Sequence, residues 1–324
     1  MLSRRTLLAT GAAASLPATA ARAGSGSFEA FTARVKAEAA RSGITATTLA
    51  DAFAGVGPNA RVIELDRKQP EFTLTWNEYR ARIVSPARVA DGRENWAANL
   101  PLLRAIEDRF GVDPAVVLGI WGLESHFGTK TGTFGVVEAL ATLAWEGRRA
   151  SFFRAQLLDS LRILEARDVT PAGMTGSWAG AMGQPQFMPD SYLRYAVDFD
   201  GDGRRDIWTS RADSLASIAN YLAHSGWQPG EPWGQAVRLP PGFDPALAGR
   251  DAQRLLGEWM QLGVQRPDGT PFSRTDVAGA VLLPGGANGD DAFMVYRNFA
   301  AIRRYNPSDF YALAVGLLGD SVAA

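Results

Sequence analysis

The run Asp113-Pro114-Ala115-Val116-Val117-Leu118-Gly119-Ile120-Trp121-Gly122-Leu123-Glu124-Ser125-His126-Phe127-Gly128 carries one carboxylate beyond its first residue, Glu124. On a helical wheel of ~100° per residue, Val117, Ile120, Trp121 and Phe127 all fall within roughly 60° of it. Apolar patterning alone would place leucine there. Asp113 suits an N-cap, Pro114 the first helical position, and Gly128 a helix stop. A carboxyl taken out of water titrates towards neutrality, as a general acid working at neutral pH must. On spacing alone a second role competes with that one, a buried glutamate paired with an arginine of another helix. His126 lies two residues on, so it points elsewhere on the helix and cannot act as a base on Ser125. It and His224 read as surface or satisfied histidines.

A second cluster is built from oxygens. Asp198-x-Asp200-x-Asp202-Gly203 fills positions 1, 3, 5 and 6 of a calcium-binding loop, with the Arg204 carbonyl at 7 and Asp206 at 9. Position 12 is Thr209 and not the bidentate glutamate. The competing role is a solvated acidic turn neutralised by Arg204 and Arg205.

Composition removes most other chemistry. The 324 residues include no cysteine and two histidines, which excludes disulfides, thiolate metal sites, cysteine nucleophiles and a lipid-bearing cysteine anchor. A formal charge of -1 gives no bulk attraction for nucleic acid. The 46% hydrophobic content suits a folded chain long enough for one large or two modest cores. Carboxylate, hydroxyl, amide and aromatic chemistry remains.

Residues 1–23 have the pattern of an export signal: Arg4-Arg5, then an alanine-rich apolar run, then Ala21-Arg22-Ala23 as a small-residue cleavage site. The paired arginines before Leu7-Leu8 resemble the twin-arginine class, with a general secretory signal as the alternative. The leader holds Arg4, Arg5 and Arg22 and no acid, so the remainder is mildly acidic. The expected location is the periplasm, without a membrane anchor.

The elements that must position these groups are mainly helical. Ser27–Ala54 is read as one or two amphipathic helices, Gly55–Thr75 as looser with an extended Glu71–Thr75, and Trp76–Ala90 as a helix with Tyr79, Ile83 and Val84 inward. Helices dominate from Asn95 to about Ala166, and Gly173–Gly183 interrupts them. Ser214–Ala223 is helical. From Trp233 to Tyr296, proline- and glycine-punctuated apolar runs such as Ala280–Leu283 predict a small β-containing lobe. Phe299–Leu318 returns to helix.

Four co-linear stretches then resemble the B-type lytic murein transglycosylases. The first is Gly119–Gly128 itself. Gly176-Ser177-Trp178-Ala179-Gly180-Ala181-Met182-Gly183-Gln184-Pro185-Gln186-Phe187-Met188-Pro189 is similar to the second signature. Tyr195–Gly203 with Ala219-Asn220-Tyr221-Leu222, and Arg304-Tyr305-Asn306-Pro307-Ser308, complete the set. The resemblance covers nearly the whole chain after the leader. It implies cleavage of the β-1,4 bond between N-acetylmuramic acid and N-acetylglucosamine, with the muramic 6-hydroxyl closing on C1 to leave a 1,6-anhydro end. Glu124 would be the single general acid/base. Ser177, Gln186, Tyr305 and Asn306 would hold the sugar, and Tyr79 and Tyr311 would line the cleft. Asp198, Asp200, Asp202, the Arg204 carbonyl and a later aspartate, Asp213, would hold a structural Ca2+ or Na+, with no cofactor in catalysis. Partners would be peptidoglycan glycan strands and proteins of cell-wall synthesis or division; the chain would act as a monomer.

Two alternatives stay open. One is a water-using muramidase with Asp190, Asp198 or Asp206 as second carboxylate. The other is a non-catalytic peptidoglycan-binding scaffold. The fold expected is α+β, mainly helical and lysozyme-like. Its parts are a leader (1–23), an N-terminal helical lobe (24–98), a catalytic core with the acidic loop (99–233), a β-rich lobe (234–296) and a C-terminal helix completing the core (297–324).

Overall fold

The structure, a computed structural model, describes residues 26–68, 74–287 and 289–324. The expected leader and most of the expected extended stretch at 71–75 lie outside the described residues.

Short polar caps set the N-terminal helices. Ser27 caps α1 (Phe28–Arg41), Thr45 caps α2 (Ala46–Ala52) and Asn59 caps α3 (Ala60–Arg67), each side-chain oxygen accepting backbone N–H groups of the first turn. The helix α3 stands where a loose segment was expected. Its exposed face is laced by Arg61–Glu64 and Lys68–Glu64 pairs, and Asn59 is tied to Glu138 at 2.8 Å, so local pairing and docking outweigh a weak apolar pattern. A Thr75/Glu78 capping box opens α4 (Trp76–Ile83). Ser85-Pro86 then ends one helix and caps the next, so the expected single helix at 76–90 is divided between α4 and α5 (Pro86–Phe110).

Asp113 caps α6 (Pro114–Ser125), as its sequence predicts. Val116, Val117, Leu118, Ile120 and Trp121 are all at most 1% exposed. The helix is therefore buried nearly all round and has no single apolar stripe. The helices α7 (Val136–Glu146) and α8 (Ala150–Glu165) follow, then the Gly-rich passage, α9 (Pro189–Tyr195) and α10 (Arg211–His224). Two short strands, β1 (Phe134–Gly135) and β2 (Thr175–Gly176), pair antiparallel and tie the entry of α7 to that passage.

The β-rich lobe holds β3 (Gly234–Ala236), β4 (Arg254–Leu255), α11 (Leu256–Gln261), β5 (Ala278–Leu282) and β6 (Phe293–Val295). Its sheet has the order β3-β6-β5-β4, all antiparallel. Alternation divides the strands between two cores. Val281 and Met294 face Trp259 in the lobe, whereas Ala280, Leu282, Phe293 and Val295 join the main core. The expected last helix is two helices, α12 (Arg297–Tyr305) and α13 (Asp309–Ala323), because Asn306-Pro307-Ser308 breaks the first and caps the second.

The main core packs α6 against α5, α10, α13 and the sheet, while α1, α2 and α3 share a second core with α7 and α8. Glycines let α6 and α13 cross closely: a Cβ on Gly119 would collide with the Val315 carbonyl, and one on Gly319 with the Ala115 carbonyl. That crossing decides where Glu124 meets α13.

Candidate active site

Glu124 lies on the last turn of α6, which ends at Ser125 rather than Gly128. His126 and Phe127 are both left-handed, with φ of 49° and 55°. Two such non-glycine residues in succession cost about 1 kcal/mol each. Phe127 therefore leaves the helix and is not part of its wheel. Its ring fits against Gly92 of α5 and Gly122 of α6, where a Cβ would lie 3.1 and 2.7 Å away. His126 presents Nε2 to Asp91 at 3.0 Å while its Nδ1 is buried without a partner among the described residues, and His224 sets Nδ1 2.9 Å from the Asn220 carbonyl.

No arginine pairs with Glu124 among the described residues. Its partner is the Tyr311 hydroxyl of α13, which donates to Oε1 at 2.6 Å. Burial pushes the Glu124 carboxyl up from 4.5 to about 7, and the Tyr311 hydrogen bond opposes that rise. At neutral pH the group is near half-protonated, so it can both give and take a proton.

Three tyrosines surround it. Burial, and then the charge of Glu124, raise Tyr79 to about 12 and hold Tyr305 and Tyr311 well above the usual phenol range. All three are therefore neutral hydroxyl donors. Tyr79 is held against Phe310 with ring centres 5.7 Å apart. Tyr305 donates to the Pro185 carbonyl at 2.6 Å and packs against Phe187 and Tyr221. The structure thus brings Tyr79, Tyr305 and Tyr311 together with Glu124, from α4, α12 and α13.

The other expected sugar ligands stand in loops. The Ser177 hydroxyl accepts the N–H groups of Ala179 (3.3 Å) and Ala181 (3.1 Å), fixing its own turn. Gln186, left-handed at φ 53°, donates from Nε2 to the carbonyls of Thr131 (2.9 Å) and Gly183 (2.7 Å). Thr131 follows α6, so this contact docks the second signature beside it. Asn306 ends α12 and accepts the Ser308 N–H at 3.2 Å. None of these three hydrogen-bonds to Glu124 among the described residues.

Sequence reasoning singled out neither Gln184 nor Phe310. The Gln184 side-chain oxygen accepts the Trp121 indole N–H at 2.9 Å. Its place in the second signature was legible; its partner was not.

In the acidic loop, Asp198, Asp200 and Asp202 each bring a carboxylate oxygen within 4.8 Å of the others. Such hard oxygen donors fit a cation like Ca2+. Asp213 is fully buried, and its carboxylate accepts the N–H groups of Phe199 (2.7 Å), Asp200 (3.4 Å) and Asp206 (2.8 Å). It is the clamp of the loop. Arg204 pairs with Asp202 at 2.8 Å, while Arg205 turns away to Asp168 at 2.7 Å. Only the first arginine neutralises the triad.

None of the candidate second carboxylates hydrogen-bonds to Glu124 or its tyrosines among the described residues. Asp190 lies 4.0 Å from Arg194, Asp198 accepts the N–H groups of Gly201 and Gly203, and Asp206 accepts those of Trp208 and Thr209.

The family model described as the transglycosylase SLT domain matches residues 27–320. Membrane-bound lytic murein transglycosylase B of Escherichia coli K12 is 36% identical, over 76% of this chain and 67% of that protein. SltB3 of Pseudomonas aeruginosa, solved in complex with NAG-anhNAM-pentapeptide, is 48% identical with a TM-score of 0.89, covering 92% of this chain and 80% of that one. The lytic transglycosylase Slt35 of E. coli, solved in complex with calcium, is 30% identical with a TM-score of 0.75, covering 90% and 92%. The chain belongs to the SLT-domain lytic transglycosylases, enzymes that act on peptidoglycan.

Proposed function

We propose that the protein cleaves the β-1,4 bond between N-acetylmuramic acid and N-acetylglucosamine with Glu124 as its one general acid/base, leaving a 1,6-anhydromuramic end. The observation that carries this is the Glu124 carboxyl itself, half-buried among neutral tyrosines, raised to about 7, and bonded to Tyr311 with no cation paired to it among the described residues. In its protonated form Glu124 gives its proton to the glycosidic oxygen as the C1–O bond breaks. The substrate's N-acetyl oxygen supports C1. The muramic 6-hydroxyl then bonds to C1, and its proton returns to the Glu124 carboxylate, so the enzyme ends as it began. Ser177, Gln186, Tyr305 and Asn306 hold the sugar, and Tyr79 and Tyr311 line the cleft beside Glu124. No second carboxylate hydrogen-bonds to Glu124 or its tyrosines among the described residues, which favours this over a water-using reaction with two flanking carboxylates.

Asp198, Asp200, Asp202 and the Arg204 carbonyl would hold a Ca2+ that stiffens the loop. Asp213 would join them through the lone pairs its N–H partners leave free. Export to the periplasm by the leader fits a peptidoglycan substrate. No helix among the described residues is long and apolar enough to cross a membrane.

Mass spectrometry of fragments released from purified peptidoglycan tests the reaction. The expected products lack the mass of one water relative to hydrolysed muropeptides and are absent with Glu124→Gln. Full-mass reducing ends would make the enzyme a muramidase. Binding without release by either protein would make it a scaffold.

A further inference from the structure

Gln184 is 7% exposed, and its side-chain amide is engaged at both ends. The oxygen accepts the Trp121 indole N–H at 2.9 Å, and the nitrogen donates to the Trp208 carbonyl at 3.2 Å. Its backbone N–H donates to the Ile207 carbonyl at 2.9 Å. Trp121 stands on α6 one turn before Glu124 and is 1% exposed. Beyond Glu124 the same amide bounds the chain again: a Cβ on Gly128 would lie 2.6 Å from the Gln184 side-chain oxygen. Gln184 therefore holds the segment by a hydrogen bond before Glu124 and packs closely against Gly128 after it.

Among the described residues Glu124 has one side-chain hydrogen bond, to Tyr311. That bond fixes it relative to α13. Ser177 and Gln186 belong to a separate segment, which the Gln186–Thr131 bond ties to the turn after α6 and Gln184 ties to α6 itself. We infer that Gln184 is a positioning residue, setting the distance between the Glu124 carboxyl and a sugar held by the Ser177–Gln186 segment. Ile207 and Trp208 close the acidic loop, so that loop backs the same amide from behind. The inference rests on Glu124 being the acid.

A shape-conserving pair of variants tests it. Gln184→Met keeps the volume and removes both hydrogen bonds. Gln184→Glu reproduces acceptor and donor when its carboxyl is neutral, and turns a second acceptor on the Trp208 carbonyl when it ionises. With soluble glycan strands, Gln184→Met should lower kcat at least about tenfold while KM stays within about twofold, because a misplacement near 1 Å is costly to the chemical step. The ratio of Gln184→Glu to wild-type kcat should stand near one at acid pH and fall as pH rises, with the circular dichroism unchanged. A Gln184→Met kcat within about twofold of wild type, or a loss confined to KM, overturns the inference. So does a Gln184→Glu ratio that is flat with pH, which decides the matter if Gln184→Met does not fold. Wild-type protein that makes anhydro products while Gln184→Met is unimpaired refutes only the role of Gln184. Wild-type protein that makes none refutes the reaction assigned to Glu124.

Discussion

Replacing Glu124 by glutamine should abolish glycan cleavage and make the protein more stable, in a pH-dependent way. The carboxyl rises from 4.5 to about 7 on folding because burial disfavours its charge. The native state thus binds a proton more tightly than the unfolded chain, and stability drains away as pH climbs from the lower value to the higher. Above about pH 7 the loss is complete, and the shift corresponds to roughly 3 kcal/mol. Water reaching the half-buried side chain through the cleft trims this to ~1–3 kcal/mol. Glutamine keeps the shape, can still accept the Tyr311 hydroxyl, and carries no charge. Urea unfolding of both proteins between about pH 4 and pH 9 measures the effect. The two should match at the acid end, and the variant should gain its full advantage by about pH 8. A stability difference that does not change with pH would refute the buried-acid argument, even if activity were lost.

Four further outcomes follow from the geometry. Tyr311→Phe removes the hydrogen bond that opposes the rise of Glu124, so the alkaline fall in kcat should move to higher pH; a profile that stays in place would detach Tyr311 from the acid. Gly119→Ala should cost about 1–3 kcal/mol and most of the activity, since the new methyl meets the Val315 carbonyl and pushes α13, with Tyr311, away from α6. Asp213→Ala strands three backbone N–H groups and should cost about 3 kcal/mol or more in denaturant melts. Calcium at about a hundredfold excess over its dissociation constant should add about 2.7 kcal/mol to wild type, and far less to Asp200→Asn; equal responses would remove the cation site.

Much of this was legible in the sequence because local chemistry fixes it. Asp113-Pro114 starts α6, Ser177 and Gln186 stand in a recognisable signature, and the proline-punctuated runs after Trp233 do form a small antiparallel sheet. The errors arose where local signals compete. Apolar periodicity runs on through Ser85-Pro86 and Asn306-Pro307-Ser308, but proline geometry and serine caps divide those stretches into separate helices. The segment Ala60–Arg67 has too few apolar residues to announce itself, and its helix depends on an asparagine cap and on ion pairs.

The sequence alone determined that one carboxylate sits in an apolar helix, and that no thiol or histidine cluster could replace it. It left open whether that carboxylate meets an arginine or stays uncharged. Tertiary packing decided this, because glycines at Gly119 and Gly319 let α13 approach α6 until Tyr311, not a guanidinium, reaches Glu124. The raised pKa follows from what surrounds the group in space, and neighbours more than a hundred residues away leave no trace in local spacing. Gln184 makes the same point. Its amide is plain in the signature, but only the folded chain shows that it holds Trp121.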